Sequence, residues 1–322
     1  MQLMEARLKF QNQKIFGKSG NQYSEGQTRA LVSGMFDVFN NFFLDIQLGS
    51  ISSSESELAK RNILAMKEFM PNYPVLIIFD RGYPSIEFID FLEDNNIRYL
   101  FRLSSNDYKK ERDMMSGSDE MVELMHTSPR LSKMKLKHPD IITKLKAKGS
   151  TKTRIMTSKL LSGNELVLMT NLPPEYGHQE IEGLYFKRWE IEKKYHTLKN
   201  KMKFESITGK ATIYVYQDFW AQLLVYNMIQ DVRHTADVGL QKKVSKKNYK
   251  NPVRINENMA IGLFKEDFIK ILIESNTRLR KQKMLQLQET IESYFLPIRE
   301  TKSRERKRNI SNKYKNNQKN SF

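Results

Sequence analysis

The sequence has no cysteine among its 322 residues, which excludes a disulfide framework and a thiolate metal site. The five histidines show no metal-ligand spacing, and this argues against a zinc site. No apolar run approaches the ~18 residues that a membrane-spanning helix needs, and the N-terminus lacks the apolar core of a signal peptide. These absences predict a cytoplasmic protein with no membrane partner.

Positive charge is in clear excess, since 54 Lys and Arg residues face 37 Asp and Glu residues and the formal net charge is +17. Such an excess implies a polyanionic partner, most simply nucleic acid, although charge alone does not separate DNA from RNA or from an anionic membrane surface. Residues 299–322 are polar and basic, and we predict a disordered tail there that tracks phosphates. With nucleic acid as the partner, we expect a location in association with the nucleoid.

Apolar patterning predicts alternating strands and helices in the first third of the chain. Short β-prone runs in residues 1–50 indicate paired strands, and LAKRNILAMKEFM indicates a helix that ends before Pro71. VLIIF at 75–79 is typical of a strand buried on both faces. A helix, SIEFIDFLEDNN, and a strand, RYLFRL, follow it. We therefore expect an α/β fold in which at least part of the sheet is parallel.

The later parts of the chain differ in character. Residues 105–177 are charged and of mixed period, with strands predicted at TRIMTSKL and ELVLMTNL, and we interpret them as a β-rich insertion. Helices are predicted at QDFWAQLLVYNMIQDVRH, DFIKILIESN and QLQETIESYFL, where core packing accounts for the apolar stripes.

The stretch VLIIFDRGYPS contains the first candidate for chemistry. Asp80 is the first polar residue after a predicted parallel strand, and ligands collect beyond the carboxyl ends of such strands. Gly82 allows a sharp backbone turn there, and Ser85 can cap the next helix. The alternative is a turn aspartate, or a partner for Arg81.

The stretch YFKRWEIEKKYHTLK contains the second candidate. It is predicted to be one helix, and Tyr185, Arg188, Glu192 and Lys199 then fall within roughly 60° of one face. The alternative is a solvated face with i,i+4 ion pairs of ~0.2–0.5 kcal/mol each. Carboxylates such as Asp80 and Glu192 suit Mg²⁺ or Mn²⁺, and two such ions about 3.5–4 Å apart can support phosphodiester cleavage.

Together these stretches resemble a known family. The spacing Y-x2-R-x3-E-x6-K, joined to FDRGYPS upstream, is similar to the signature of DDE transposases of the bacterial insertion-sequence-four family. RALVSGMFDVFNNFFLDIQL also resembles one of that family's blocks, and the likeness extends over roughly residues 5–235.

The resemblance implies an RNase H-like mixed sheet flanked by helices, with the β-rich insertion before the last catalytic helix. The implied regions are 1–104 for the first part of the catalytic core, 105–177 for the insertion, 178–298 for the helical remainder and 299–322 for the tail. The implied activity is DNA cleavage and strand transfer at element ends with two divalent metal ions, and the implied assembly is a homodimer in a synaptic complex.

The resemblance also implies roles for individual residues. Asp80 would be the second catalytic aspartate and Glu192 the catalytic glutamate, and both would bind metal. The remaining candidates would hold the DNA, chiefly through phosphates: Tyr185, Arg188, Lys199, Arg81 and Lys187.

The sequence departs from the family at its N-terminus. Met4, Glu5 and Ala6 stand where the first catalytic aspartate is expected, so Glu5 is the only substitute, and its extra methylene moves the carboxylate by about 1 Å, which can cost around 10²-fold in rate. Asp37 and Asp45 are other candidates for this acid, but they lie in the following strand region, and we predict that both are structural. The family's N-terminal DNA-binding segment has no counterpart, so we expect a truncated copy.

Three hypotheses follow. The first is a transposase catalytic region, either active or inactivated by the loss of the first aspartate. The second is a non-catalytic DNA-binding remnant with the same fold. The third and weaker one is a nuclease that acts on RNA or on DNA in general.

Overall fold

The computed structural model describes residues 2–9, 16–19, 27–132, 139–160, 163–202, 211–246 and 249–298, with backbone alone for 2–9, 18–19 and 27. The chain forms two compact units, Met1–Lys194 and Tyr195–Phe322. The region boundaries inferred from the sequence stay predictions, and the predicted basic tail lies outside the described residues.

The first unit is built on a mixed sheet. Its strands are β1 Gln2–Lys9, β2 Lys18–Ser19, β3 Gln27–Asp37, β4 Phe42–Ser50, β5 Leu76–Phe79, β6 Arg98–Arg102, β7 Asp119–Met125, β8 Ser150–Lys159 and β9 Glu165–Thr170. The order is β2-β3-β1-β5-β6-β9-β8-β7, with β4 also paired to β3. β1, β3 and β4 are antiparallel to their neighbours in that group, whereas β5 is parallel to β1 and to β6. The predicted paired strands and the parallel part of the sheet are confirmed.

The helices of this unit are α1 Glu55–Phe69, α2 Ile86–Asp94, α3 Lys109–Asp113, α4 Ser128–Ser132, α5 Pro139–Lys148, α6 His178–Phe186 and α7 Trp189–His196, the last of which continues into the second unit. α1 ends before Pro71, as predicted.

Strand β5 is covered on both faces, which explains its unbroken apolar sequence. Ile77 and Phe79 pack into a core cluster with residues of α1 and α2. Ile78 faces the other way, into a cluster that includes Ile181 and Tyr185 of α6. Because alternate strand residues point to opposite faces, a strand between two helical layers needs apolar residues at every position.

The predicted insertion extends the same sheet. TRIMTSKL lies in β8 and ELVLMTNL in β9, and β9 pairs antiparallel with β6. Helices α3, α4 and α5 also lie in this region.

Arg154 of β8 links the insertion to the segment before α6. Its buried guanidinium forms two 2.6 Å hydrogen bonds to Asp119 and donates to the carbonyls of Pro173 and Tyr176 at 3.2 and 2.9 Å. The insertion therefore fixes the loop that leads into α6.

The second unit is mostly helical. Its elements are a π-helical turn Thr197–Lys201, α8 Thr212–Val244, β10 Val253–Ile255, α9 Glu257–Leu272, α10 Thr277–Ser293 and β11 Phe295–Pro297. The three helices predicted in this region exist, but their predicted ends are wrong: DFIKILIESN runs four residues past the end of α9, and QLQETIESYFL runs past the end of α10 into β11. Within the described ranges, no helix is both long and apolar enough to cross a membrane.

The carboxylate of Asp90 on α2 anchors α5 and gives an acid-dependent contribution to stability. It accepts hydrogen bonds from Lys144 at 2.7 Å and Lys148 at 3.0 Å. Burial alone would raise the pKa of Asp90, but these hydrogen bonds outweigh it and hold the pKa below 3.8. A carboxyl whose pKa is lowered on folding stabilises the protein above its unfolded pKa, and this stabilisation is lost as pH falls through the folded pKa.

We expect Asp90→Asn to lower the free energy of unfolding by about 1–3 kcal/mol at pH 7, because a charge-assisted pair is lost. The difference from the parent should shrink below about pH 4. Urea unfolding at pH 7 and pH 3 checks this, with Asp94→Asn as a control, because Asp94 pairs with Lys144 from an exposed position. An equal loss at both pH values for Asp90→Asn would contradict it.

Candidate functional site

Asp80 lies directly beyond the end of β5, at the carboxyl edge of the parallel strands. Gly82 has φ +101°, a left-handed conformation that glycine adopts without strain, and the Ser85 hydroxyl accepts from the Phe88 N–H at 3.2 Å to cap α2. Both features were predicted. Among the described residues, the ion pair of Asp80 is with Arg188 and not with the neighbouring Arg81.

The prediction of one unbroken helix through YFKRWEIEKKYHTLK is wrong. α6 ends at Phe186 and α7 begins at Trp189. Between them the N–H of Arg188 bonds to the Tyr185 carbonyl at 3.0 Å, and the N–H of Glu190 bonds to the Lys187 carbonyl at 3.0 Å. In each of these hydrogen bonds the N–H donates to the carbonyl three residues earlier, as in a 3₁₀ turn, which winds the backbone more tightly than an α-helix.

Arg188 connects the two candidate acids in spite of this break. Its Nη1 lies 2.7 Å from Glu192 Oε1 and 3.4 Å from Asp80 Oδ2. The two carboxylate oxygens are therefore separated by no more than the sum of these distances, about 6 Å. The Arg188 side chain is only 6% exposed, whereas those of Asp80 and Glu192 are 49% and 46% exposed.

These contacts change the interpretation of Glu192 as one member of a surface ion pair. The i,i+4 pair with Arg188 exists, but its cation is buried and shared with an acid about a hundred residues upstream. A solvated helix face does not require such an arrangement.

Aromatic rings hold the Arg188 guanidinium from the other side. Its Cζ lies 4.5 Å from the Trp189 ring centroid and 5.9 Å from that of Tyr185. Burial alone would lower the pKa of Arg188, but Tyr185, Asp80 and Glu192 hold it above its usual range. Arg188 stays charged at any physiological pH.

Tyr185 is almost completely buried, at 1% exposure. Burial raises the pKa of its hydroxyl above the usual value of 10, and this effect outweighs the opposing one of Arg188. The Arg102 guanidinium lies close enough to the Tyr185 hydroxyl to lower its pKa, although the two do not meet in strict hydrogen-bond geometry. Arg188 Nε has no acceptor within the described part of the chain. Buried polar groups normally have a partner, so Arg188 keeps a donor in reserve.

The carboxylates of Asp80 and Glu192 are of the chemical type that binds divalent metal ions. Carboxylate oxygens are the ligands that Mg²⁺ and Mn²⁺ prefer, and the two side chains are half exposed and converge on one cation. The side chains described do not include a cluster of three or more His, Cys, Asp or Glu that could hold a metal. Among the described side chains, the candidate metal ligands at this site are therefore Asp80 and Glu192.

Strand β1 carries the position at which the first catalytic aspartate is expected from the sequence. Gln2 pairs with Ile78 in parallel register, so continuing the register by two residues brings Met4, rather than Glu5, level with Asp80. Glu5 pairs with Ser33 of β3, and its side chain lies outside the described residues. Its catalytic role stays a prediction.

The other predicted DNA-binding residues are exposed lysines and an arginine. Lys187 is exposed, and its ammonium sits 5.1 Å from the Phe39 ring centroid, beside a cavity of about 270 Å³. Arg81 is exposed in the turn after β5, and Lys199 is exposed in the π-helical turn of the second unit. Their roles, like those of Tyr185 and Arg188, stay predictions.

Two other acids have local structural contacts, in line with expectation. Asp37 accepts from the N–H groups of Phe39 and Asn40 in the β3–β4 turn. Burial alone would raise the pKa of Asp37, but hydrogen bonds from Asn40 and Phe39 lower it overall. Asp45 accepts from Gln47 at 2.7 Å.

Two residues beside the candidate acids, Trp189 and Arg102, were not predicted from the sequence. Arg102 ends β6, and Phe101 pairs with Phe79, so Arg102 is level with Asp80 and lies close enough to Tyr185 to lower its pKa. The strand-end argument that selected Asp80 also applies to Arg102. Trp189 could have been noticed because it directly follows Arg188.

Comparison with known proteins gives two matches. Residues 7–228 match the family model described as the transposase DDE domain. A second match is to the transposase InsG for insertion sequence element IS4 of Escherichia coli (strain K12), with 27% identity over 188 aligned residues. The alignment covers 56% of this chain and 39% of that relative. The matched family region includes Asp80 and Glu192 and begins after Glu5.

Proposed function

The chain belongs to the DDE transposase family, and from this we propose that it is a catalytic region for DNA transposition in which Asp80 and Glu192 hold divalent metal. The proposal rests on one observation: these two acids, distant in sequence, pair with the same nitrogen of Arg188. We further propose an RNase H-like core. The order β4-β3-β1-β5-β6, antiparallel and then parallel, supports it.

The proposed roles follow from where the groups lie. Asp80 and Glu192 would bind Mg²⁺ or Mn²⁺, and a pair of such ions supplies activation of the attacking water or 3′ hydroxyl and stabilisation of the leaving oxygen. Arg188 and the Tyr185 hydroxyl would bind a DNA phosphate, because Arg188 is a permanent cation beside the two acids and Tyr185 lies against its guanidinium. Arg81, Lys187 and Lys199 would make further phosphate contacts, and Glu5 stays the sequence-based candidate for a third ligand. A homodimer in a synaptic complex is part of the same proposal.

The test is Mn²⁺-dependent nicking and strand transfer on a DNA end. We expect Asp80→Asn and Glu192→Gln each to reduce the rate at least ~100-fold, because even groups that only support metal ligands contribute ~10–100-fold. Glu190→Gln is the matched control, because Glu190 lies on the same helix but pairs with Lys193. If Asp80→Asn and Glu192→Gln are as active as Glu190→Gln, the assigned site is wrong.

Non-catalytic DNA binding is the second candidate. The position of Met4, level with Asp80, favours it, because a thioether does not replace an oxygen ligand of Mg²⁺. It predicts DNA binding that weakens steeply between low and physiological salt, with no metal-dependent turnover. The parent chain in the same assay separates the two candidates.

A further inference from the structure

Arg188 occupies the position at which Asp80 and Glu192 converge. Its Nη1 lies within 3.4 Å of one carboxylate and 2.7 Å of the other, so these oxygens already share a cation supplied by the chain. We propose that Arg188 competes with divalent metal ions for Asp80 and Glu192, and that metal loading releases its guanidinium from both. This inference rests on the metal binding in the proposed function.

Electrostatics gives the physical reason. Two carboxylates a few ångströms apart repel each other, and a nearby cation reduces that cost. A guanidinium does not lose its proton in a protein, so Arg188 offsets one of the two negative charges at every accessible pH and leaves the other for a further cation. A divalent ion held by Asp80 and Glu192 would draw on the same two carboxylates and would repel the guanidinium, so it would weaken the ion pairs of Arg188.

The two aromatic rings beside Arg188 can keep its guanidinium in place after it leaves Asp80 and Glu192. The Trp189 and Tyr185 rings flank the guanidinium at 4.5 and 5.9 Å, and cation–π contact persists when the ion pairs are lost. Arg188 Nε is buried and has no acceptor among the described residues, so it is a donor that a phosphate would satisfy once the guanidinium moves away from the acids. Metal loading would therefore convert Arg188 from the partner of the two acids into a donor to DNA.

The decisive variant is Arg188→Met, which removes the charge and keeps an unbranched side chain against the two rings. We expect it to bind Mn²⁺ about tenfold more tightly than the parent in the absence of DNA, equivalent to about 1.4 kcal/mol. Free Mn²⁺ measured by electron paramagnetic resonance gives the affinity. Arg188→Lys, which keeps the charge, should stay close to the parent. A residue that only supports the fold or contacts DNA would leave Mn²⁺ affinity unchanged or weaken it.

The controls separate this inference from the proposed function. Arg81→Met removes an exposed charge beside Asp80, so any gain common to both variants is a general field effect. Asp80→Asn identifies the binding that belongs to this site. If that binding exists and Arg188→Met is no tighter than Arg81→Met, competition is wrong and the proposed function stands. If neither the parent nor Arg188→Met shows Asp80-dependent binding, both fail.

A second measurement keeps Arg188 in place, so it does not depend on whether an Arg188 variant folds. The chain has two tryptophans, so Trp220→Phe leaves Trp189 as the only indole. Saturation with Mg²⁺ should change the Trp189 emission as the guanidinium moves, and Asp80→Asn should abolish the change. Mg²⁺ that displaces Mn²⁺ from the site without altering Trp189 emission would overturn the release of Arg188.

Discussion

Replacing Met4 with aspartate is expected to raise Mn²⁺-dependent DNA nicking about 100-fold over the parent chain. Met4 comes level with Asp80 when the register of β1 on β5 is continued by two residues, so Met4→Asp would supply a carboxylate at the strand position next to Asp80, one of the two proposed metal ligands. A displacement of about 1 Å in a catalytic group can cost around 10²-fold, and a missing group costs at least as much. Single-turnover nicking of a labelled DNA end measures the effect.

Met4→Asn is the matched control, because asparagine has the shape of aspartate without its charge. Glu5→Gln tests the alternative third ligand in the same assay. A Met4→Asp chain no faster than Met4→Asn, combined with loss of activity in Glu5→Gln, would assign the third ligand to Glu5.

Removing the ring of Phe79 is expected to destabilise the first unit by about 3–5 kcal/mol. Phe79 is fully buried and stacks on Phe101 at 4.8 Å, and the rings of Phe88 and Tyr83 each lie 5.3 Å from it. A loss of this size is a large share of the 5–15 kcal/mol that stabilises a typical protein. Native-state hydrogen exchange of the β5 and β6 amides in Phe79→Ala measures the change.

Phe69→Ala is the control for this prediction. Phe69 is 77% exposed at the end of α1, so its removal should change stability by less than about 0.5 kcal/mol. Equal protection of β5 and β6 in the two variants would show that the Phe79 cluster does not stabilise the sheet. Because Asp80 follows Phe79 directly, we also expect Phe79→Ala to weaken Asp80-dependent Mn²⁺ binding.

The α/β core could be predicted because its signals are local. The apolar run that forms β5, the left-handed Gly82 and the Ser85 cap each depend on a few neighbouring residues. The sequence also indicated that Asp80 lies at a strand end, since that depends only on recognising the strand.

The break at Arg188 was not predictable from helix propensity or spacing. Lys187 and Arg188 are both residues that a helix accepts. The break is seen in the backbone hydrogen bonds, where an N–H donates to the carbonyl three residues earlier instead of four. The shared ion pair with Asp80 depends on contacts between segments far apart in sequence, which periodicity does not encode. Arg102 joins the site through strand register, which is also a tertiary property.

The hydrogen bonds of Arg154 limit where this chain can be joined to a relative in a chimeric protein. A surface insertion can usually be exchanged for that of a relative, but here a guanidinium in β8 holds Asp119 and two carbonyls of the loop that enters α6. Transplanting residues 105–160 alone would separate Arg154 from that loop and shift the start of the helix that bears Tyr185. The transferable module extends to Tyr176, so a chimera joined after that residue should keep the site where one joined before it would not.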